Sequence, residues 1–398
     1  MNLLLISVHY PPIKSSCAVQ MRDLALQLKS SGHNPVVLVP EDNINDAYKK
    51  EVISGITVYR LKCNKVMNIN FFQRAINEIF LPLFMLRALR RTDLDIKIFN
   101  GVIWYSPTIF FGPLISYIKK TAKIKSYLIL RDVFPEWAYD LGIIKKGMTY
   151  YLFKLIAKYQ YSVANTIGVQ TESNKKYFLD WKKNNKKRKL EVLNNWLAKP
   201  IIKKSSIQIK DTILNNKKIL VYIGNMGVAQ DMPILINLAE TFNSNNNVGF
   251  LFVGRGTKVS ELKQLAKNKA LKNILFYDEI DSYEIFDLLK QCHVGMVALD
   301  PKHKSHNIPG KFLTYMQAGI PVLARINQDT DLENIILQNK VGRVYTKSDL
   351  VEFNEITKQL LNDISINNMS KNCEDLYMKS YTAHKAACRI INSFETMN

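Results

Sequence analysis

An α/β fold of two doubly wound halves is what this sequence predicts, on three observations. Short apolar runs alternate with amphipathic stretches, which implies parallel sheets covered by helices. The alternation stops in a polar stretch and then restarts. The chain has 398 residues, too many for one ordinary core and suited to two.

In the first half, Leu3–Val8 reads as a strand. Pro11 and Pro12 open a loop, and Ala18 to Ser30 reads as a helix stopped by Gly32. Further strands fit Val36–Val39, Ile56–Arg60, Ile96–Phe99, Ser126–Leu130 and Thr166–Val169. The stretch 98–118 has no charged residue and could span a bilayer by length. Gly101, Pro107, Gly112 and Pro113 interrupt it, so a strand, a loop and a helix from near Thr108 are expected. A polar segment containing Pro200 follows. Beyond it, strands fit Ile219–Ile223, Val248–Val253, Asn273–Phe276, Val294–Leu299 and Ile320–Ala324. The expected organisation is a first domain over 1–195, a linker over 196–212 and a second domain over 213–375. The remaining 376–398 would be a C-terminal helix able to return to the first domain.

Hydrophobic residues make up 47% and charged residues 22%, the balance of a soluble globular protein. The 55 Lys+Arg against 34 Asp+Glu give a net charge of +21. That excess favours an anionic partner: nucleic acid, an acidic membrane face or a phosphorylated substrate. No nucleic-acid recognition motif accompanies it, so no nucleic-acid partner is expected. Cys17, Cys63, Cys292, Cys373 and Cys388 form no CxxC pair, which argues for a reducing compartment and against a structural zinc. Asp300, His303 and His306 lack a convincing ligand spacing, and no metal is expected. The N-terminus lacks a basic region before its apolar run and reads as a strand, which predicts a cytoplasmic protein.

The most informative stretch is 307–324, NIPGKFLTYMQAGIPVLA. Pro309 and Gly310 break the chain, Lys311 falls in the first helical turn, and Gly319 ends the helix. A helix N-terminus offers free N–H groups and a positive dipole end, which suit a phosphate. A lysine there opposes the dipole, and an anionic ligand would justify it. Three other segments sit just after predicted strands, where doubly wound sheets bind ligands. Tyr222 to Gln230 forms a glycine-containing loop. Phe252 to Lys258 carries Gly254 and Gly256 with two cations, Arg255 and Lys258, able to grip phosphate oxygens. Leu130 to Trp137 places Asp132 and Glu136 at a strand end. A small-residue loop, Ser15-Ser16-Cys17-Ala18, leads into the first helix. The Asp93-Leu94-Asp95 triplet reads as a polar turn.

One further segment, Phe71 to Arg91, spaces Phe72, Ile76, Ile79, Leu83 and Leu86 helically among four arginines, with Glu78 as the single acidic residue. It fits either a core helix or a basic interfacial helix lying on an anionic membrane.

Taken in order, RDVFPEW, YIGNMGVAQ and HNIPGKFLTYMQAGIPVLA resemble, over nearly the full chain, family-four retaining GT-B glycosyltransferases of bacterial O-antigen and capsule assembly. The nearest likeness is to N-acetyl-L-fucosamine transferases. The resemblance implies a GT-B fold, with two Rossmann-like doubly wound domains facing a deep cleft. It implies a UDP-sugar donor at the second domain and a lipid-linked (undecaprenyl-diphosphate) saccharide acceptor at the first. It also implies retention of anomeric configuration, no metal, no cofactor beyond the UDP-sugar co-substrate, and peripheral attachment to the inner face of the plasma membrane. Carried onto this sequence, Ser16, Asn225, Gln230, Arg255, Lys258, Lys311 and Thr314 would bind the donor. Asp132, Glu136 and His306 would serve the reacting sugars. The chain departs from the family at several of these places. Ser15 to Ala18 stand where glycines are usual, and Asn225 and Gln230 where an arginine and a lysine grip the diphosphate. His306 and Thr314 replace the two glutamates of an E-x7-E pair. Two rival readings follow: a UDP-sugar epimerase of the same architecture, or a non-catalytic partner in a polysaccharide-assembly complex.

Overall fold

The computed structural model describes residues 1–396 except 66–68, 141, 186, 301–306, 329, 348 and 367. The polypeptide forms two compact units. One comprises Met1–Trp196 with Ala383–Asn398, the other Leu197–Thr382.

The first unit holds strands β1 (Asn2–Ile6), β2 (Asn34–Glu41), β3 (Tyr48–Ile53), β4 (Ile56–Lys62), β5 (Gly101–Ser106), β6 (Lys125–Leu130), β7 (Thr166–Val169) and β8 (Lys189–Val192). Their order is β3-β4-β2-β1-β5-β6-β7-β8. Only β3 runs antiparallel to its neighbour. The helices are α1 (Ser16–Ser30), α2 (Phe71–Leu89), α3 (Gly112–Ala122), α4 (Glu136–Asp140), α5 (Met148–Ser162) and α6 (Leu179–Lys183). The central strands β1, β5, β6 and β7 are apolar on both sides, as a sheet covered on two faces requires. Leu3, Leu5, Val37 and Ile103 pack toward α1. Leu4, Ile6, Leu38 and Trp104 pack toward Leu81 and Met85 of α2, Leu114 and Ile118 of α3 and Ala157 of α5.

The second unit holds β9 (Lys218–Ile223), β10 (Val248–Val253), β11 (Ile274–Tyr277), β12 (Val294–Ala298), β13 (Val322–Arg325) and β14 (Gly342–Tyr345). They form one parallel sheet in the order β11-β10-β9-β12-β13-β14. Its helices are α7 (Pro233–Thr241), α8 (Val259–Asn268), α9 (Ile285–Leu289), α10 (Gly310–Gln317), α11 (Asp331–Gln338), α12 (Leu350–Ile366) and α13 (Met369–Ser380). Strand order reverses at β9, flanked by β10 and β12. The loops at the carboxyl ends of β9 and β12 therefore diverge, which is where open α/β sheets hold ligands.

After α13 the chain re-enters the first unit as α14 (Ala383–Glu395). Ala386, Ala387, Ile390 and Phe394 bury against the face that α1 also covers, and Ser393 Oγ meets Thr166 Oγ1 at 2.8 Å. Phe394 fits because position 101 is glycine: a Cβ there would come within 2.8 Å of its ring. Phe394→Ala is expected to destabilise the first unit by about 3–5 kcal/mol, measured by urea unfolding; a loss well below 1 kcal/mol would make α14 an appendage.

Several boundaries differ from expectation. The strand placed at Ile96–Phe99 is a 3-10 turn over Ile96–Ile98, fixed by Asp95 accepting from Lys97 N at 2.9 Å. The strand itself starts at Gly101, where every residue to Ser106 is buried. The expected linker 196–212 belongs largely to the two cores. Trp196 is fully buried in the first unit, and Ile207 and Ile209 are buried in the second. The expected boundary at 375/376 falls inside α13, and the chain leaves the second unit after Thr382. β3 was not expected because YKKEVI is charged. Pairing with β4 forms it, helped by ion pairs Glu51–Arg60 at 2.5 Å and Lys50–Asp93 at 2.6 Å.

Helix α2 packs one apolar side into the core and leaves another uncovered. Leu81, Met85, Ala88 and Leu89 are buried, while Ile76, Ile79, Phe80 and Leu83 are exposed. Among the described residues, no helix is long and apolar enough to cross a membrane.

Candidate functional site

The loop after β9 is built by its own side chains. Gly227 N donates to Gln230 Oε1 at 3.0 Å, and Asn225 Nδ2 donates to the same oxygen at 3.4 Å. The two residues expected at the donor thus bond each other. Tyr222 holds the loop from below, its hydroxyl donating to Asn225 O at 2.8 Å.

The loop after β10 lies directly on this one. Met226 N donates to Arg255 O at 2.8 Å, and Lys258 N donates to Met226 O at 3.1 Å. Gly254 and Gly256 have φ of 151° and 150°. A Cβ on Gly254 would stand 2.0 Å from Gly224 O, and one on Gly256 2.2 Å from Met226 O. The glycine pair therefore serves loop-on-loop packing, for which only glycine has the room and the backbone freedom.

Lys311 occupies the first turn of α10. The helix begins after Pro309, which supplies no side-chain cap, and Phe312 N donates back to Pro309 O at 3.0 Å. A Cβ on Gly310 would meet nothing within 4 Å among the described atoms. The Lys311 Nζ is buried and has no hydrogen-bond partner among the described residues. It rests on the face of the Tyr222 ring, 3.4 Å from the centroid. Burial lowers its pKa to about 7. A ring quadrupole attracts a cation, but it leaves three N–H donors without acceptors. Tyr315, four residues on, sets this geometry. Its hydroxyl accepts from Ile223 N at 3.1 Å and contacts Val221 O and Met296 O at 3.1 and 3.2 Å, tying α10 to the ends of β9 and β12.

The other expected cations lie differently. The Arg255 side chain is 76% exposed and pairs with Glu279 at 3.2 Å. Lys258 pairs with Glu261 at 2.5 Å. Neither side chain is buried beside Lys311. Thr314 Oγ1 donates back to Gly310 O at 3.3 Å. His306 lies outside the described residues. One cation escaped the sequence reading: Arg325, the last residue of β13, is 3% exposed. It donates to Leu299 O at 3.1 Å and stands 3.4 Å from Asp231. Burial raises the pKa of Asp231, and Arg325 opposes that rise. Arg325 thereby anchors the loop that ends in Gln230 and Asp231.

The first unit carries two further groups of expected residues, one after β1 and one after β6. Glu136 opens α4 and pairs with Lys154 of α5 at 3.3 Å. Asp132 is half-buried at the end of β6. The buried Tyr161 hydroxyl has its pKa pushed up, first by burial and then by Glu136 and Asp132. Ser16 is exposed at the start of α1, and its neighbour Ser15 is the residue that caps the helix, accepting from Ala18 N at 3.2 Å. Ser15 Oγ also meets His9 Nδ1 at 3.1 Å. Burial, and then Arg74, lowers the His9 pKa. His9 was not singled out because one histidine in a loop carries no pattern. Among the described residues no three His, Cys, Asp or Glu are placed to hold a metal.

Residues 217–363 match the family model described as Glycosyl transferases group 1. Two curated relatives are similar. The "Probable glycosyltransferase WbjE" of Pseudomonas aeruginosa is 25% identical over 238 residues, 58% of this chain and 57% of the relative's length. The "Putative colanic acid biosynthesis glycosyl transferase WcaI" of Escherichia coli K12 is 23% identical over 319 residues, 74% of this chain and 76% of the relative. Among solved structures, Anabaena HepE in complex with UDP superposes with a TM-score of 0.68 at 12% identity, over 100% of both chains. The matched residues lie within the second unit. By class the chain is a glycosyltransferase of GT-B fold.

Proposed function

We propose that the chain is a retaining glycosyltransferase using a UDP-sugar donor and an undecaprenyl-diphosphate-linked saccharide acceptor in O-antigen or capsule biosynthesis. The sugar we assign is N-acetyl-L-fucosamine or a similar deoxy-amino sugar, and the place is the inner face of the plasma membrane. One observation carries the donor half: a buried ammonium without an acceptor among the described residues stands in the first turn of α10. A diphosphate supplies the missing acceptors and takes charge from both the lysine and the helix end. The same groups then stabilise charge growing on the leaving diphosphate, which is the largest electrostatic demand of sugar transfer. With Asn225 and Gln230 uncharged, Lys311 meets most of that demand. The UDP held by HepE, and the colanic acid pathway in the name of WcaI, support this reading. In it, Asp132 and Glu136 orient the acceptor sugar.

A thermal-shift screen with UDP-, GDP- and dTDP-sugars tests the donor. A UDP-sugar at 100 times its Kd is expected to stabilise the second unit by about 2.7 kcal/mol, with smaller effects from the others. Transfer to a short-tailed lipid-diphosphate saccharide then tests the reaction. No stabilisation by any UDP-sugar overturns the donor assignment. Free interconversion of the UDP-sugar would establish the epimerase instead.

A further inference from the structure

Five exposed apolar and aromatic side chains of the first unit gather on α5. Met148 is 89% exposed, Leu155 66%, Tyr151 62%, Leu152 51% and Tyr159 45%. At positions i, i+3, i+4, i+7 and i+11 they share one face of the helix. The opposite side, with Tyr150, Ala157 and Tyr161, is buried. Ile143 adds a further exposed apolar residue just before the helix. No acidic residue occurs from Met148 to Ser162, and exposed Lys145, Lys146 and Lys158 flank the face. Helix α3 touches both α5 and α2, so the exposed Ile76, Ile79, Phe80 and Leu83 of α2 belong to the same helical layer.

We propose that the exposed face of α5, assisted by that of α2, docks the first unit on an anionic lipid surface. The face is a convex helix side with amphipathic tyrosines, not a groove for a peptide. Its cations complement anionic headgroups, and their long stems let leucines and tyrosines sink below the headgroup level. A two-fold contact between copies of this chain would oppose the same patch to itself and set lysine against lysine. The inference deepens the reading above, because a lipid-borne acceptor places the protein at a membrane, but it rests on its own observations.

The test is flotation of the full chain with vesicles of phosphatidylcholine alone and with added phosphatidylglycerol. Binding is expected with the anionic vesicles only, weakening as salt rises. L152S/L155S, which alters exposed positions and leaves the buried side intact, is expected to weaken binding about tenfold or more. K145E/K146E is expected to abolish the preference for phosphatidylglycerol. Unchanged flotation of both variants, absence of binding by the native chain, or dimers that L152S/L155S dissociates would each overturn the proposal. Stabilisation by UDP-sugar is read on the same samples. Its loss with flotation intact strikes the donor assignment alone, and the reverse strikes the docking alone.

Discussion

Lys311→Met is expected to abolish stabilisation by the UDP-sugar and, at the same time, to raise the melting temperature of the unliganded protein. The two effects have one cause. A buried charge without a partner carries a desolvation penalty of several kcal/mol, and the ring beneath Lys311 offsets only part of it. Methionine keeps the length and removes the charge. Relief of about 2 kcal/mol corresponds to a rise of roughly 4–8 °C in a unit of this size. Calorimetry of the unliganded variant reads the stability, and the ligand-induced shift reads the binding. A variant that melts lower than the native chain would show that the ammonium already has a partner. One that still binds would move the diphosphate elsewhere.

The same residue fixes a pH dependence. Burial brings the folded-state pKa of Lys311 to about 7, whereas an unfolded lysine titrates near 10.4. Between those values the unfolded chain holds the proton and the folded chain does not. This group's contribution to stability therefore rises with pH across that window. At and below pH 7 the penalty is present in full, and there the advantage of Lys311→Met is largest; it fades toward pH 10. Donor binding runs the other way. A diphosphate favours the protonated amine, so affinity is expected to fall as pH rises above about 7. Titration calorimetry in buffers of different ionisation enthalpy should register proton uptake at pH 8. Equal heats in all buffers would mean that Lys311 does not change protonation on binding.

The loop-to-strand segment around Lys311 was readable because proline, glycine, a first-turn cation and an apolar strand each leave a local signature. The GxG between Val253 and Thr257 was readable as a tight turn but not as to purpose. Only the backbone of Gly224 and Met226 beside it shows that the glycines serve packing. The roles of Tyr222 and Arg325 left no signature, because each lies at or beside the end of an apolar strand run and nothing in the sequence pairs it with Lys311 or Asp231. The exposed face of α5 was equally hidden. Its buried and exposed sides are both apolar and aromatic, so periodicity does not separate them, and only the packing against α3 and the sheet does. The strand at Gly101–Ser106 was displaced in the reading because Ile96 and Ile98 mimic a strand start, though Ile98 is half exposed.

Arg131 is another buried cation, in the first unit, and for it the opposite sign is expected: Arg131→Met should destabilise that unit by about 2–5 kcal/mol. The difference from Lys311 lies in the partners. Arg131 donates from Nη1 to Leu193 O at 2.6 Å and from Nη2 to Asn194 O at 3.3 Å. Its guanidinium carbon lies 5.9 Å from the Tyr105 ring centroid and 5.1 Å from that of Trp196. Removing it relieves one desolvated charge but leaves two carbonyls short of a donor, just before the chain passes into the second unit at Leu197. A planar fork spans both oxygens and stacks on the rings, which a lysine ammonium cannot do together. Arg131→Lys should therefore recover less than half of the loss. All four tryptophans, Trp104, Trp137, Trp181 and Trp196, lie in the first unit, so tryptophan fluorescence in urea isolates its transition. If Arg131→Met matched or exceeded the native stability there, the two carbonyls would have to find other donors, and Arg131 would join Lys311 as a charge kept for a ligand.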